Sequence, residues 1–221
     1  MRLLEIYEFE SCPYCRIVRE VLTELDLDAV IYPCPKGGER FRPRVLEQGG
    51  KMQFPYVIDP NTGAALYESA DIVRYLFDTY GNRAPPLHWR LPAMQQIASA
   101  VAGRAALGAG VRVAGSRPPE RPLELFSFES NPFARLVRER LSELELPYVL
   151  RSAAPSRLAE WCPPALADVG GWLREPVTTN RRTLQARAGR ISIPYLVDSN
   201  TGVEIAGSAS IVNYLVGTYA L

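Results

Sequence analysis

Apolar and polar positions along this chain follow two periods that alternate in a fixed order. Leu3–Phe9 is a short apolar run rich in strand formers. Pro13 suits a first helical turn, where its missing N–H costs nothing. Ile17, Val18, Val21, Leu22 and Leu25 then recur at helical spacing. Ala29–Tyr32 reads as a second strand, and Phe41–Gln48 as a short helix stopped by Gly49 and Gly50. Tyr56–Asp59 and Ala64–Tyr67 flank Pro-Asn-Thr-Gly, a hairpin signal. Ile72, Val73, Leu76, Phe77 and Tyr80 mark a last helix closed by Gly81. The order is βαβαββα, with one parallel crossover and one antiparallel hairpin.

The same pattern then starts again. EIYEFESCPYCRIVREVLTEL at 5–25 returns as ELFSFESNPFARLVRERLSEL at 124–144. FPYVIDPNTGAALYESADIVRYLFDTY at 54–80 returns as IPYLVDSNTGVEIAGSASIVNYLVGTY at 193–219. A repeat this close means two copies of one structural unit. The expected organisation is an α/β chain with a domain at 1–83, a helical linker at 84–121 and a second domain at 122–221. Within the linker, Arg90–Gly115 is rich in small and apolar residues. Gln95, Gln96, Ser99, Arg104 and Arg112 interrupt it, which argues for a helix packed between the domains and against stable membrane insertion. Pro118, Pro119 and Pro122 make a stiff connector. The second copy carries an insertion around Pro155–Pro176, with Trp161, Cys162 and Trp172, read as a packing loop with helical pieces.

Charge changes the picture only by exclusion. Lysine and arginine number 25 against 24 acids, for a net charge of +1, so nucleic acid is not the expected partner. Four cysteines in 221 residues do not make a secreted disulfide framework. The amino terminus enters a strand directly, with no leader pattern. The expected location is the reducing cytoplasm, where a Cys-x-x-Cys beside a βα unit reads as redox chemistry. The single histidine, His88, lies in the linker, so a histidine-assisted hydrolase is not the expected class.

The two copies differ where chemistry would sit. The first carries Cys12-Pro13-Tyr14-Cys15, and the second Asn131-Pro132-Phe133-Ala134. Cys12 stands just before a helix, where unpaired N–H groups and the macrodipole favour an anion. That lowers the thiol pKa and supplies the nucleophilic thiolate. Arg16, one turn in, could assist; Glu8 and Glu10 could oppose. Cys15 is placed to resolve a mixed disulfide on Cys12. Half of a zinc site is the alternative, but Cys34 and Cys162 are lone, so no metal is expected. Cys34, matched by Ala153 in the repeat, reads as a packed thiol, with a second redox role as the alternative.

These features resemble the thioredoxin fold: the βαβαββα order, Cys-Pro-Tyr-Cys after the first strand and a proline before the third. The nearest resemblance is to glutaredoxins and the N-terminal domain of glutathione S-transferases, in particular tandem proteins of photosynthetic organisms. Tyr32-Pro33-Cys34-Pro35-Lys36-Gly37-Gly38 is also similar to that subgroup. The resemblance implies cis peptide bonds at Pro55 and Pro194, and an edge at Phe54 that pairs with the cysteinyl part of glutathione by strand addition. It implies that Glu68 takes the γ-glutamyl ammonium, and that Ser69 with its helix N-terminus takes the carboxylate. A helix cap is the alternative for Ser69. Tyr14 and Gln53 complete the expected glutathione site, and Lys51 or Arg40 could add charge. The chain departs from glutaredoxins in having Phe9 and Glu10, not a lysine, before the motif. In the second copy Gly207-Ser208 replaces Glu68-Ser69, so that domain is expected to be redox-silent. The implied activity is glutathione-dependent thiol–disulfide exchange at Cys12 and Cys15. Glutathione is the cosubstrate, and a small-molecule or protein disulfide the substrate. Glutathione conjugation, an iron–sulfur carrier and a non-enzymatic redox sensor or scaffold are the competing readings.

Overall fold

The computed structural model describes residues 1–90, 109–155 and 177–221. The greater part of the expected linker helix and the Trp161–Trp172 insertion with Cys162 lie outside the described residues. The first repeat comprises β1 (Leu4–Glu8), α1 (Pro13–Glu24), β2 (Ala29–Pro33), α2 (Arg42–Gly49), β3 (Tyr56–Asp59), β4 (Ala64–Leu66) and α3 (Ser69–Leu76). A π-helical turn at Phe77–Gly81 extends α3, and a short α4 follows at Leu87–Arg90. The second repeat comprises β5 (Leu123–Ser127), α5 (Pro132–Glu143), β6 (Tyr148–Ser152), α6 (Thr179–Ala188), β7 (Tyr195–Asp198), β8 (Val203–Ala206) and α7 (Ser208–Tyr219). This is the mixed α/β, tandem thioredoxin-like order expected from the sequence. Among the described residues no helix is long and apolar enough to cross a membrane.

Within each repeat the first two strands pair in parallel around a crossover helix, and the hairpin adds antiparallel strands to the other side of the first. The repeats then join into one eight-stranded sheet in the order β4-β3-β1-β2-β6-β5-β7-β8. The seam is an antiparallel β2–β6 pair, in which Val30 faces Val149, its own counterpart in the repeat. Each β2-type strand would be a bare edge in an isolated repeat. The seam satisfies both edges at once.

Alternation along the strands sorts the core into layers. Leu4 and Ile6 of β1 and Leu123 and Leu125 of β5 face one side, where they meet Val18, Leu22, Ile72 and Leu76 and, from the second repeat, Val137, Leu141, Ile211 and Leu215. That cluster is continuous across the seam. The opposite side holds a separate cluster under each of α2 and α6, built on Tyr7, Cys34, Val45 and Tyr56 in one repeat and Phe126, Ala153, Leu184 and Tyr195 in the other.

The hairpins are braced alike. Asp59 accepts from Tyr75 and Tyr80, each at 2.5 Å, and Asp198 accepts from Tyr214 and Tyr219 at 2.6 and 2.5 Å. Burial pushes both carboxyls upward, but these hydrogen bonds outweigh it and hold them below the usual range. Gly63 and Gly202 close the turns with positive φ, which a side chain would strain.

Candidate functional site

The α1 N-terminus is built by Cys12 itself. Its extended backbone ends the preceding loop, Pro13 opens the helix, and its Sγ accepts the Cys15 N–H at 3.3 Å. A thiolate is the better acceptor, so hydrogen bonding from the Cys15 thiol, and to a lesser degree from the Cys15 N–H, lowers the Cys12 pKa against the opposing effects of burial and Glu8. Arg16 turns instead to Glu20 at 2.8 Å and lies 3.9 Å from Glu129. Cys15 is on the inner face, 1 % exposed against 4 % for Cys12, and desolvation drives its thiol well upward. The two thiols are therefore shifted in opposite directions, Cys12 towards the thiolate and Cys15 towards the neutral thiol. Tyr14 between them is 47 % exposed.

Phe9, whose carbonyl accepts the Cys12 N–H at 3.1 Å, sets its ring edge-on to Phe54 at 6.0 Å. The Phe54–Pro55 bond is cis, as is Ile193–Pro194. Gln53 donates to the Glu68 carboxylate at 2.5 Å. Contacts thus run from the dithiol through Phe9 and Phe54 to Gln53 and Glu68, with Ser69 next in the chain. Glu68, at φ 64°, occupies the position before α3 and makes no side-chain cap; Ser69 is the first helical residue and not the cap.

Two expected cations are used elsewhere. Arg40 donates to the carbonyls of Leu144 and Glu145, left open at the end of α5, and to that of Ser116. Lys51 lies over the Tyr67 ring at 4.6 Å. Arg42, missed in the sequence, lies 4.9 Å over Phe54 and donates to the carbonyls of Cys34 and Pro35. Cys34 is fully buried, its thiol pushed upward by desolvation.

The second repeat keeps the frame without the thiols. Asn131 caps α5 through its Oδ1, accepting from the Ala134 N–H at 2.9 Å. Gly207, at φ 89°, matches Glu68, and its N–H donates to the Pro194 carbonyl at 3.1 Å.

Behind the dithiol lies a buried charge network that the sequence reading did not find. Arg19 of α1 and Arg138 of α5 are both 1 % exposed. Arg19 holds Glu129 at 2.8 and 3.3 Å and also pairs with Glu8. Arg138 holds Glu10 through two 3.1 Å bonds. Glu8 continues the inward alternation of Leu4 and Ile6, and desolvation raises its pKa to about 7 although Arg19 opposes this. Its counterpart, Ser127, accepts from Arg138 at 2.9 Å. The available signal was an arginine on the apolar face of α1, among Ile17, Val18, Val21 and Leu22, repeated in α5.

Comparison with known proteins agrees with this architecture. The family model for the glutathione S-transferase N-terminal domain matches twice, over residues 6–84 and 125–221. A search of curated proteins returns no match. Among solved structures, a Bombyx mori glutathione transferase is 27 % identical over 38 % of each chain, with a TM-score of 0.34. A glutathione S-transferase from the Antarctic clam Laternula elliptica is 24 % identical over 38 % of this chain and 37 % of its own, also at 0.34. A trimeric Leishmania glutathione transferase aligns over 100 % of this chain and 68 % of its own, at 13 % identity and a TM-score of 0.31. The chain thus spans well under half the length of the first two. With both repeats matched and most of its length covered, the chain belongs to the glutathione S-transferase N-terminal domain family, in tandem thioredoxin-fold form.

Proposed function

We propose that this chain is a glutathione-dependent thiol–disulfide oxidoreductase. Its working unit is residues 1–83, and residues 122–221 form a redox-silent unit. The observation that carries the reading is the opposed tuning of two neighbouring thiols at the start of α1, Cys12 lowered by hydrogen bonds from the Cys15 thiol and N–H, and Cys15 raised by burial. The Cys12 thiolate attacks one sulfur of a disulfide, forming a mixed disulfide and releasing the other half as a thiolate. Cys15 then loses its proton and attacks the Cys12 sulfur, which expels the second half and leaves a Cys12–Cys15 disulfide. Two glutathiones restore the dithiol and leave as glutathione disulfide. Phe54 and Pro55 supply the edge for the cysteinyl part, with Gln53, Glu68, Ser69 and Tyr14 around it. A reducing compartment such as the cytoplasm suits this cycle.

Glutathione conjugation is the second reading, favoured by the family match itself. A glutathione-coupled disulfide reduction assay beside a conjugation assay separates them. Wild type should reduce the disulfide, and Cys12→Ser should not. Conjugation that survives Cys12→Ser, with no disulfide reduction by wild type, would establish the transferase reading instead.

A further inference from the structure

Glu10 lies two residues before Cys12, and three groups fix it. Its N–H donates to Ser142 Oγ at 3.3 Å, its carbonyl accepts from Arg19 at 3.0 Å, and its carboxylate takes the paired bonds from Arg138. Two of the three, Arg138 and Ser142, come from α5 of the repeat that lacks the Cys-x-x-Cys motif. Ser142 is itself tied down, donating to the Gly110 carbonyl at 3.1 Å. Glu129, in the matching loop, is held in the mirrored way. Its N–H donates to Thr23 Oγ1 at 3.2 Å, its carbonyl accepts from Arg138 at 3.2 Å, and its carboxylate is held by Arg19. Each arginine therefore grips its own loop by the carbonyl and reaches the carboxylates of both loops, Arg19 also lying 3.3 Å from Glu10 and Arg138 3.1 Å from Glu129. A planar guanidinium is suited to that double duty, since its donors form a rigid fork.

The consequence differs between the halves. In the second repeat the clamped loop leads to Asn131, a neutral cap. In the first it leads to Cys12, whose capping geometry lowers its thiol pKa. We propose that Arg138 and Ser142 are positioning residues for the Cys12 nucleophile. The redox-silent repeat acts as a built-in part of the active site, setting the loop from which the thiolate meets the α1 N-terminus. This rests on the oxidoreductase reading for its purpose, though not for its test.

The test uses the full chain and follows iodoacetamide alkylation of Cys12 across pH by mass spectrometry, beside a thermal melt of each variant. Arg138→Lys keeps the charge and loses the fork. Ser142→Ala removes the acceptor for the Glu10 N–H. Thr23→Ala removes the mirrored acceptor, which holds the Asn131 loop through the Glu129 N–H. Arg138→Lys and Ser142→Ala should move the alkylation midpoint to higher pH and slow labelling at pH 7 about threefold to fivefold, the scale of one hydrogen bond. Thr23→Ala should lose comparable thermal stability and keep the wild-type profile. If Arg138→Lys does not fold, Ser142→Ala against Thr23→Ala decides alone. Profiles unchanged in a folded Ser142→Ala protein, with Cys12 fast in wild type, would overturn the positioning role and leave the oxidoreductase reading standing. Cys12 no faster than Cys34 in wild type would overturn both.

Discussion

The starts of α1 and α5 are the same structure made from different atoms. Both open on proline, both follow an extended residue, and in both a side-chain acceptor meets the N–H three residues on. In α1 the acceptor is sulfur, and in α5 it is an amide oxygen. The helix needs an acceptor and is indifferent to whether it can be oxidised. The fold therefore places no demand on the thiols, and survival of the frame in the second repeat says nothing of activity there. On the proposed function, the thiols of the first repeat serve chemistry, and the cap itself needs only an acceptor.

The largest expected effect copies the second repeat into the first. Cys12→Asn should bring glutathione-coupled disulfide reduction to the uncatalysed rate. It should shift stability in urea by no more than about 1 kcal/mol, because asparagine is as good a cap. Residual turnover above a tenth of wild type would break the contrast between the two helix starts.

The buried arginines ask whether the repeats are energetically equal. Arg19→Met and Arg138→Met should each cost about 3–5 kcal/mol, since each strands buried carboxylates. Urea melts should show one transition in every case, because the core runs through the seam. Two separate transitions would show that the halves unfold as independent units.

Glu68→Gln should weaken glutathione binding by about 1–3 kcal/mol, the scale of a charged hydrogen bond. Ser208→Ala, at the matching helix start, should leave it unchanged. Isothermal calorimetry on both variants reads the difference, and equal losses would place a ligand in each repeat.

The smallest effect concerns Glu8, whose counterpart is Ser127. Its carboxyl titrates near 7 in the folded chain against 4.5 as a free side chain, so the folded state holds a proton that the unfolded state releases. Its contribution to stability is thus present below about pH 4.5 and lost as pH rises to about 7. Glu8→Ser, which installs the residue of the other repeat, should flatten that part of the profile in urea melts run from pH 4 to 8. An unaltered slope would assign the proton to another group.

Much of this was legible because it is local. In the first repeat the apolar periods gave the four strands and the first two helices to within a residue or two, and Pro13 with Cys12 marked the α1 start. The repeat exposed the missing thiols. The seam was not legible, since Ala29–Tyr32 reads as a strand without saying which strand lies beside it. Arg40 was misread for the same reason. Its partners, Leu144 and Glu145, are far away in sequence, and a cation beside a candidate site invites a ligand. Arg19 and Arg138 interrupt apolar helix faces, and only the fold brings Glu129 and Glu10 to them.

Val30 pairs with Val149, its own counterpart, so the seam has the geometry of two identical subunits meeting on a twofold axis. In a true homodimer one codon writes both sites, and any loss strikes both together. Here each position is written twice, and a substitution can enter one side alone. One half is free to shed its thiols while the other keeps them, and the contacts between the halves can persist through the change. The chain has the symmetry of a dimer and the genetic freedom of a heterodimer.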